Sequence, residues 1–452
     1  MGLYAALAAQ FSSAADGQPD HTFGHAGHAI IAYGAPALGA SAATALAFDR
    51  NGNVLLSGPV RMSGNYDAIG LVRLDRSGQE FPGQIGLRIV DVTSFPYGQG
   101  TLPVFTSKLV GSSPSNGTIV VGVDNSTTPN NNYEVATDAA GSIDTTFGGS
   151  GYGYQVQAGF PERPGAALRR DGGILLIGQR SPVGIYAAVL MPDGKGLERF
   201  GQYSNNTVGI IVWKLTNAVI EQAIDVPDDT DPTAPAIFAC GSAEDASGTN
   251  TVSILAAFDE QGDPAPAFST QLPIDDAAGS EPSSSCESVA IDAERRVIVS
   301  GYRRSSDASS GSYYVARLGT DGHSDPSFGT GGIVFGRIDG ASASSASSVA
   351  LQNDGKVVLG VNATDSAGNS QAYLLRLSPA GTVDADFGNA GLVTVKYRDG
   401  PEVSNRVSAL GVQSERIVAA GSSIAAGADV ADMAAAAFDV DVLYKDGFDS
   451  LP

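Results

Sequence analysis

Residues 288–335 read SVAIDAERRVIVSGYRRSSDASSGSYYVARLGTDGHSDPSFGTGGIVF, and this stretch decides the fold. Two short alternating runs flank an Asp-rich turn, which is the signature of a tight β-hairpin. A third run, YYVARL (313–318), follows a Ser/Gly loop. A second turn closes in Asp-Pro-Ser-Phe-Gly and leads to a fourth run, Gly332 to Phe335. The unit is therefore four short antiparallel strands joined by turns.

The unit recurs from end to end. Its anchor is a Phe closing each second turn: Phe23, Phe81, Phe147, Phe200, Phe268, Phe328 and Phe387, at intervals of 58, 66, 53, 68, 60 and 59 residues. The hairpin returns as ALAFDRNGNVLLSG (45–58), ALRRDGGILLIG (167–178), VALQNDGKVVLG (349–360) and ALGVQSERIVAAG (409–421). Four-stranded units repeated at this spacing predict an all-β, single seven-bladed β-propeller. The first hairpin strand is expected innermost and the run after the Phe outermost. The chain starts with a fourth strand, His28 to Tyr33, and ends with a third, Met433 to Phe438. Docking the first onto the second closes the ring and removes an open edge. The expected organisation is an amino-terminal leader remnant or flexible segment (1–22), the propeller (23–440) and a tail (441–452).

The pattern resembles the bacterial delta-60 repeat, most closely at 349–360, 373–377 and 380–391 (VALQNDGKVVLG, YLLRL, AGTVDADFGNAG) and at 289–301 and 313–332. The resemblance implies a β-propeller in secreted, periplasmic or cell-surface bacterial proteins. It implies no catalytic residues.

Composition narrows the partners. A formal charge of −22 argues against nucleic acid, which needs a basic face, and against anionic membrane surfaces. No apolar run is long enough for a spanning helix. Met1 to Ala9 is apolar and ends in small residues like a signal-peptide tail, without its basic start.

Candidate sites are few. His21, His25 and His28 have the residue type for zinc or nickel, although the repeat aligns them with ordinary turn and strand positions. Asp228, Asp229 and Asp231 crowd one turn and offer oxygens to calcium, without an EF-hand pattern. Asp20, Asp144, Asp325 and Asp384 precede the Phe anchors and read as turn-formers. Cys240 and Cys286 fall on strands of adjacent units, where a disulfide or two buried thiols would fit. Trp213 reads as packing. There is no G-x-S-x-G, P-loop or H-E-x-x-H pattern. Glu221 and Glu287 are the acids within or beside innermost strands, too few for a metal cage.

The loops between second and third strands are long and rich in Ser, Asn and Gly, as at 302–312 and 362–371. Loops entering the innermost strands, such as 274–285, share their face. Variable loops on a rigid scaffold are where binding resides. The expectation is a monomeric, non-enzymatic scaffold that binds a protein or glycan on that face and needs no cofactor. The alternative is a channel-centred hydrolase or lyase, possibly metal-dependent.

Overall fold

The computed structural model describes residues 16–33, 37–63, 67–82, 87–90, 105–113, 116–124, 131–149, 162–180, 184–196, 210–211, 216–245, 247–265, 267–268, 270–272, 274, 280–413 and 416–440. Among them every regular element is a β-strand.

The chain opens with β1 (His28–Ile31). One sheet holds β2 (Ala37–Ser41), β3 (Ala45–Phe48), β4 (Val54–Met62), β5 (Asp67–Leu74) and β6 (Leu87–Val90), with both β2 and β3 on β4. A three-stranded sheet holds β7 (Phe105–Ser112), β8 (Asn116–Asp124) and β9 (Asn131–Asp138). Two four-stranded sheets follow in simple order. They are β10 (Glu162–Leu168), β11 (Ile174–Arg180), β12 (Gly184–Leu190) and β13 (Ile210–Ile211), then β14 (Thr216–Asp225), β15 (Pro235–Glu244), β16 (Thr251–Asp259) and β17 (Thr270–Gln271). The opening stretch forms β18 (Ser283–Ile291), β19 (Val297–Arg304), β20 (Gly311–Leu318) and β21 (Ile333–Gly336). Its neighbour is β22 (Ala343–Leu351), β23 (Val357–Thr364), β24 (Ser370–Leu377) and β25 (Leu392–Thr394), tied to it by one parallel bridge, Gly311 to Ala343. The last strands are β26 (Glu402–Gln413), β27 (Arg416–Ala425) and β28 (Asp432–Asp439).

Strand order within each unit is the expected one, first hairpin strand to post-Phe strand. β1 pairs antiparallel with β28, His28 opposite Ala436 and Ile31 opposite Met433, so the last sheet runs β1–β28–β27–β26. First strands lie against one another in sequence, β3 on β7, β7 on β10, β10 on β14, β14 on β18, β18 on β22, β22 on β26, and β26 on β3. The apolar core fills the layers between neighbouring sheets: Cys240, Leu255 and Phe268 pack with Val289, Val299 and Tyr314 of the next unit.

The Phe anchors join unit to unit. Phe23, Phe147, Phe268, Phe328 and Phe387 are buried. The Phe328 ring lies on Gly381 of the following unit, and the Gly329 N–H donates to Ala380 O at 2.9 Å. Phe23 meets Gly78 and Phe147 meets Gly194 in the same way. A Cβ on these glycines would stand 2.8–3.1 Å from the ring. Phe387 finds its glycine at the other end of the chain, Gly17, and Gly388 N–H donates to Asp16 O at 3.0 Å. The boundary expected at residue 23 is therefore corrected. Residues 16–20 already belong to the fold, with Gly17 N–H donating to Asp439 O at 2.8 Å and Asp20 N–H to Ala437 O at 2.9 Å. Phe81 differs from the other anchors, half-exposed with the Arg73 guanidinium 5.0 Å above its ring. Phe200, Trp213, residues 1–15 and the tail 441–452 lie outside the described residues.

Candidate functional site

Five of the first strands share one irregularity. β7, β14, β18, β22 and β26 are each interrupted where one residue is skipped in the ladder. Val121 and Gly122 pair with Leu109 and Ser107, leaving Lys108 unpaired. The same shift skips Glu221 in the register between Ile220 and Gln222, and Glu287 between Cys286 and Ser288. Ser347 and Ser408 stand at the equivalent bulges of β22 and β26. A bulge bends its strand and re-aims one side chain. Here the five residues line one cavity of about 1110 Å³.

The sequence carries a signal for these bulges in the glycine of each second strand. A Cβ on Gly301 would stand 2.0 Å from Ser285 O, one on Gly241 1.9 Å from Val219 O, and one on Gly421 1.9 Å from Arg406 O. The bulged strand pushes a carbonyl into the space a side chain needs, so glycine is required there for closeness of backbone.

Around the bulges, polar side chains tie neighbouring first strands together. Gln222 Oε1 accepts from Ser288 Oγ–H at 2.8 Å and Val289 N–H at 2.7 Å. Asn362 donates to Val407 O at 2.8 Å and accepts from its N–H at 2.9 Å. Thr44 Oγ–H donates to Ser107 O at 2.9 Å. These bonds fix the backbone that carries the lining residues.

Lys108 Nζ stands 2.9 Å from Glu221 Oε2. The half-buried Glu287 has its pKa pushed up to about 7, first by burial and then by the negative charge of Glu221; a bond from Ser285 and the Lys108 and Arg304 charges oppose the rise. Glu287 thus holds its proton near neutrality beside a carboxylate paired to an ammonium. Such a set can give a proton, accept one, and bind hydroxyls. From the bulges the cavity runs along the strands to the turns at Asp49–Asn51 and Arg169–Gly172. At that end Arg169 Nε is 3.7 Å from Asp225, whose carboxyl is pushed up to about 6 by burial against the pull of Arg169.

The cavity therefore extends toward the short hairpin turns, whereas the long loops ring the opposite ends of the same strands. Those loops use their acids internally. Asp245 accepts from Ser247 N–H at 3.0 Å, Asp307 from Ser309 N–H at 3.0 Å and Asp365 from Asn369 N–H at 2.9 Å. Residues 125–130, 181–183 and 275–279 of such loops lie outside the described residues.

The candidates read from sequence separate. Asp228 accepts from Thr230 N–H at 2.9 Å, Asp231 from Thr233 N–H at 2.9 Å, and Asp229 pairs with Arg170 at 2.5 Å. The three carboxylates are not brought onto one ion site. His25 and His28 do come together, with Asp399, and His21 is not part of the group. Among the described residues these three are the one set of at least three His, Cys, Asp or Glu so placed. Cys240 and Cys286 are free, buried thiols rather than a disulfide. Apolar burial raises the Cys240 thiol well above its usual pKa, which suppresses the thiolate that oxidation requires. Asp20, Asp144 and Asp325 are turn-formers, accepting from Thr22, Thr146 and Ser327 N–H at 2.9, 3.0 and 3.0 Å.

Two stretches, 295–328 and 352–387, match the family model described as "Domain of unknown function (DUF5122) beta-propeller". Over these two stretches the chain is similar to that family's β-propeller repeat. No curated protein matches it. Among solved structures it is similar to a protein of unknown function from Dyadobacter fermentans (11% identity, 92% of this chain and 98% of that one, TM-score 0.48). It is also similar to the NanB sialidase K499G mutant of Streptococcus pneumoniae (9% identity, 92% and 70%, TM-score 0.42) and to AofleA of Arthrobotrys oligospora (11%, 82% and 91%, TM-score 0.39).

Proposed function

We propose that the DUF5122-repeat units form one seven-bladed propeller, closed by β1 on β28, that binds a polyhydroxylated ligand such as a glycan in its axial cavity. The observation that carries the binding site is the repeated bulge, which sets Lys108, Glu221 and Glu287, with Ser347 and Ser408, on the wall of a space of about 1110 Å³. That volume suits a small concave-site ligand more than a flat protein face. Its donors and acceptors match hydroxyl groups, which accept from an ammonium and donate to carboxylates. On this reading the ligand occupies the axial cavity rather than the long-loop face expected from the sequence. The setting that the repeat implies is extracytoplasmic, and the reading is of a scaffold without a cofactor.

A second reading uses the same site for acid–base hydrolysis. It is favoured by Glu287, whose pKa is pushed up to about 7 by burial and by the charge of Glu221, the latter paired with Lys108. One experiment separates the two. Oligosaccharides of neutral and acidic type are titrated calorimetrically, and released reducing ends are assayed in parallel. Binding without release, weakened about tenfold or more by Glu221→Gln, supports the scaffold. Release that falls on the order of 100-fold or more in Glu287→Gln supports hydrolysis. Binding that ignores both substitutions sinks the axial site.

A further inference from the structure

We infer that His25, His28 and Asp399 form a divalent transition-metal site that ties the amino-terminal segment to the loop between β25 and β26. The argument starts from the turn. His25 and His28 flank Ala26 and Gly27, both in the left-handed region at φ 53° and 97°. His25 N–H donates to His28 O at 2.7 Å, and His28 N–H to His25 O at 3.2 Å. Two such central residues make the tight primed turn, and residues paired across it present their side chains on one face. The imidazole centroids are 6.1 Å apart.

The turn does not need histidine. Its counterparts run from Thr330 to Ile333 and from Asn389 to Leu392, with the same bridge and the same positive φ at Gly331, Gly332, Ala390 and Gly391. The first copy alone of these three puts two imidazoles where the others have a polar and an apolar residue. A scaffold role accounts for the backbone and leaves the pair of rings unexplained.

Asp399 supplies a third ligand from elsewhere in the chain. Its Oδ2 is 2.8 Å from His25 Nδ1, and its Oδ1 is 3.9 Å from His28 Nε2. All three ligand atoms lie within 4.8 Å of one another. The loop is held in place by Arg398, which donates to Asp432 at 3.0 Å and to Ser423 Oγ at 2.9 Å. Bonds of about 2.0–2.2 Å to a central ion require these atoms to close by roughly 1 Å. The exposed side chains of His25 and Asp399 can make that movement. Two imidazoles and a carboxylate with an open position suit zinc, cobalt or nickel, and not calcium. The site is separate from the axial cavity and does not rest on the ligand proposed there.

The full chain, stripped with EDTA, is titrated with Co²⁺ and then Zn²⁺. The expected result is one equivalent of Co²⁺ with the visible absorption of a low-coordinate centre, displaced by Zn²⁺. Zinc at ten times its dissociation constant slows amide exchange across residues 25–31 by about tenfold. His25→Gln, which alters an exposed side chain, and Asp399→Asn each abolish the spectrum and the protection while leaving metal-free exchange as in the wild type. Cobalt or zinc binding that survives both substitutions, an octahedral spectrum, or zinc binding without protection of residues 25–31 overturns the proposal.

Discussion

Glu134 lies on β9 with a fully buried side chain, and its Oε1 has no hydrogen-bond partner. Burial pushes its pKa up to about 8 from an ordinary value of 4.5. Below pH 4.5 the carboxyl is protonated in both folded and unfolded chains. Between pH 4.5 and 8 the unfolded chain loses that proton while the folded one keeps it, so stability falls as pH rises through this window. A tenfold change in proton affinity is worth about 1.4 kcal/mol, so the loss reaches several kcal/mol at the upper end of the window. Glu134→Gln keeps the shape and removes the titration. Denaturant melts at pH 5 and pH 8 should therefore differ less in the variant, and the variant should be the more stable protein at pH 8. An unchanged pH dependence would show that Glu134 ionises freely in the folded chain. Glu287 has a raised pKa too, but on a cavity wall beside Glu221 and Lys108.

At the scale of the element, the Phe–Gly clasp is the joint between neighbouring units. Phe328 is fully buried against Gly381, with Arg317 held 4.8 Å from its ring by Asp325 and Pro379 O. Truncating it removes apolar contact and leaves a cavity between two sheets. Phe328→Ala should cost about 3–5 kcal/mol in chemical denaturation. Phe81→Ala, at the half-exposed anchor, should cost less than about 1.5 kcal/mol. Equal losses would mean that burial against the next unit is not what the anchor contributes. The clasps were legible because Phe and Gly recur at fixed offsets. The strands of the second unit were not, because the first of them, FTSKLVGS (105–112), carries three successive polar residues, Thr106 to Lys108, and breaks the period-two alternation. Lys108 was hidden with them. Glu221 and Glu287 could be placed on first strands from the sequence, but their convergence could not. Alternation of period two says which face a residue occupies, and a bulge is a break in that alternation. The second-strand glycines, Gly241 and Gly301 among them, were the available clue. The pairing of His28 with Asp399 had none, since nothing in their spacing joins residues from opposite ends of the chain.

At the scale of the whole molecule, the amino-terminal segment supplies what the carboxy-terminal strands lack. Residues 16–33 bring the Asp16–Gly17 turn that receives Phe387, the Phe23 that reaches Gly78, and β1 for the edge of β28. Asp16 also pairs with the buried Arg376, whose guanidinium lies 4.4 Å over the Phe387 ring and bonds Asp384 at 2.9 Å. The Phe387–Gly17 and Phe23–Gly78 contacts repeat those made between consecutive units elsewhere, and β1 on β28 repeats the pairing of β21 on β20 within a unit. The segment thus acts as the end of the last unit, although it is synthesised first. Removing residues 1–33 would bare an edge of small apolar residues, Ala434 to Ala437, and leave Arg376 without one of its carboxylates. An unpaired edge of this kind invites association with other chains, and a buried charge that loses a partner costs about 3–5 kcal/mol. The truncated chain should melt far below the full one and elute as aggregate in size-exclusion chromatography. Ala29→Pro tests the strand alone: the Ala437 N–H to Gly27 O bond puts the Ala29 N–H on the ladder opposite Ala435, and the substitution removes that bond while keeping Phe23 and Asp16. Its melting temperature should fall between those of the truncated and full chains. A truncated protein that stays monomeric with an unchanged melting temperature would show that β1 is an ornament on a fold complete without it, and would overturn the proposed ring closure and the axial site proposed with it.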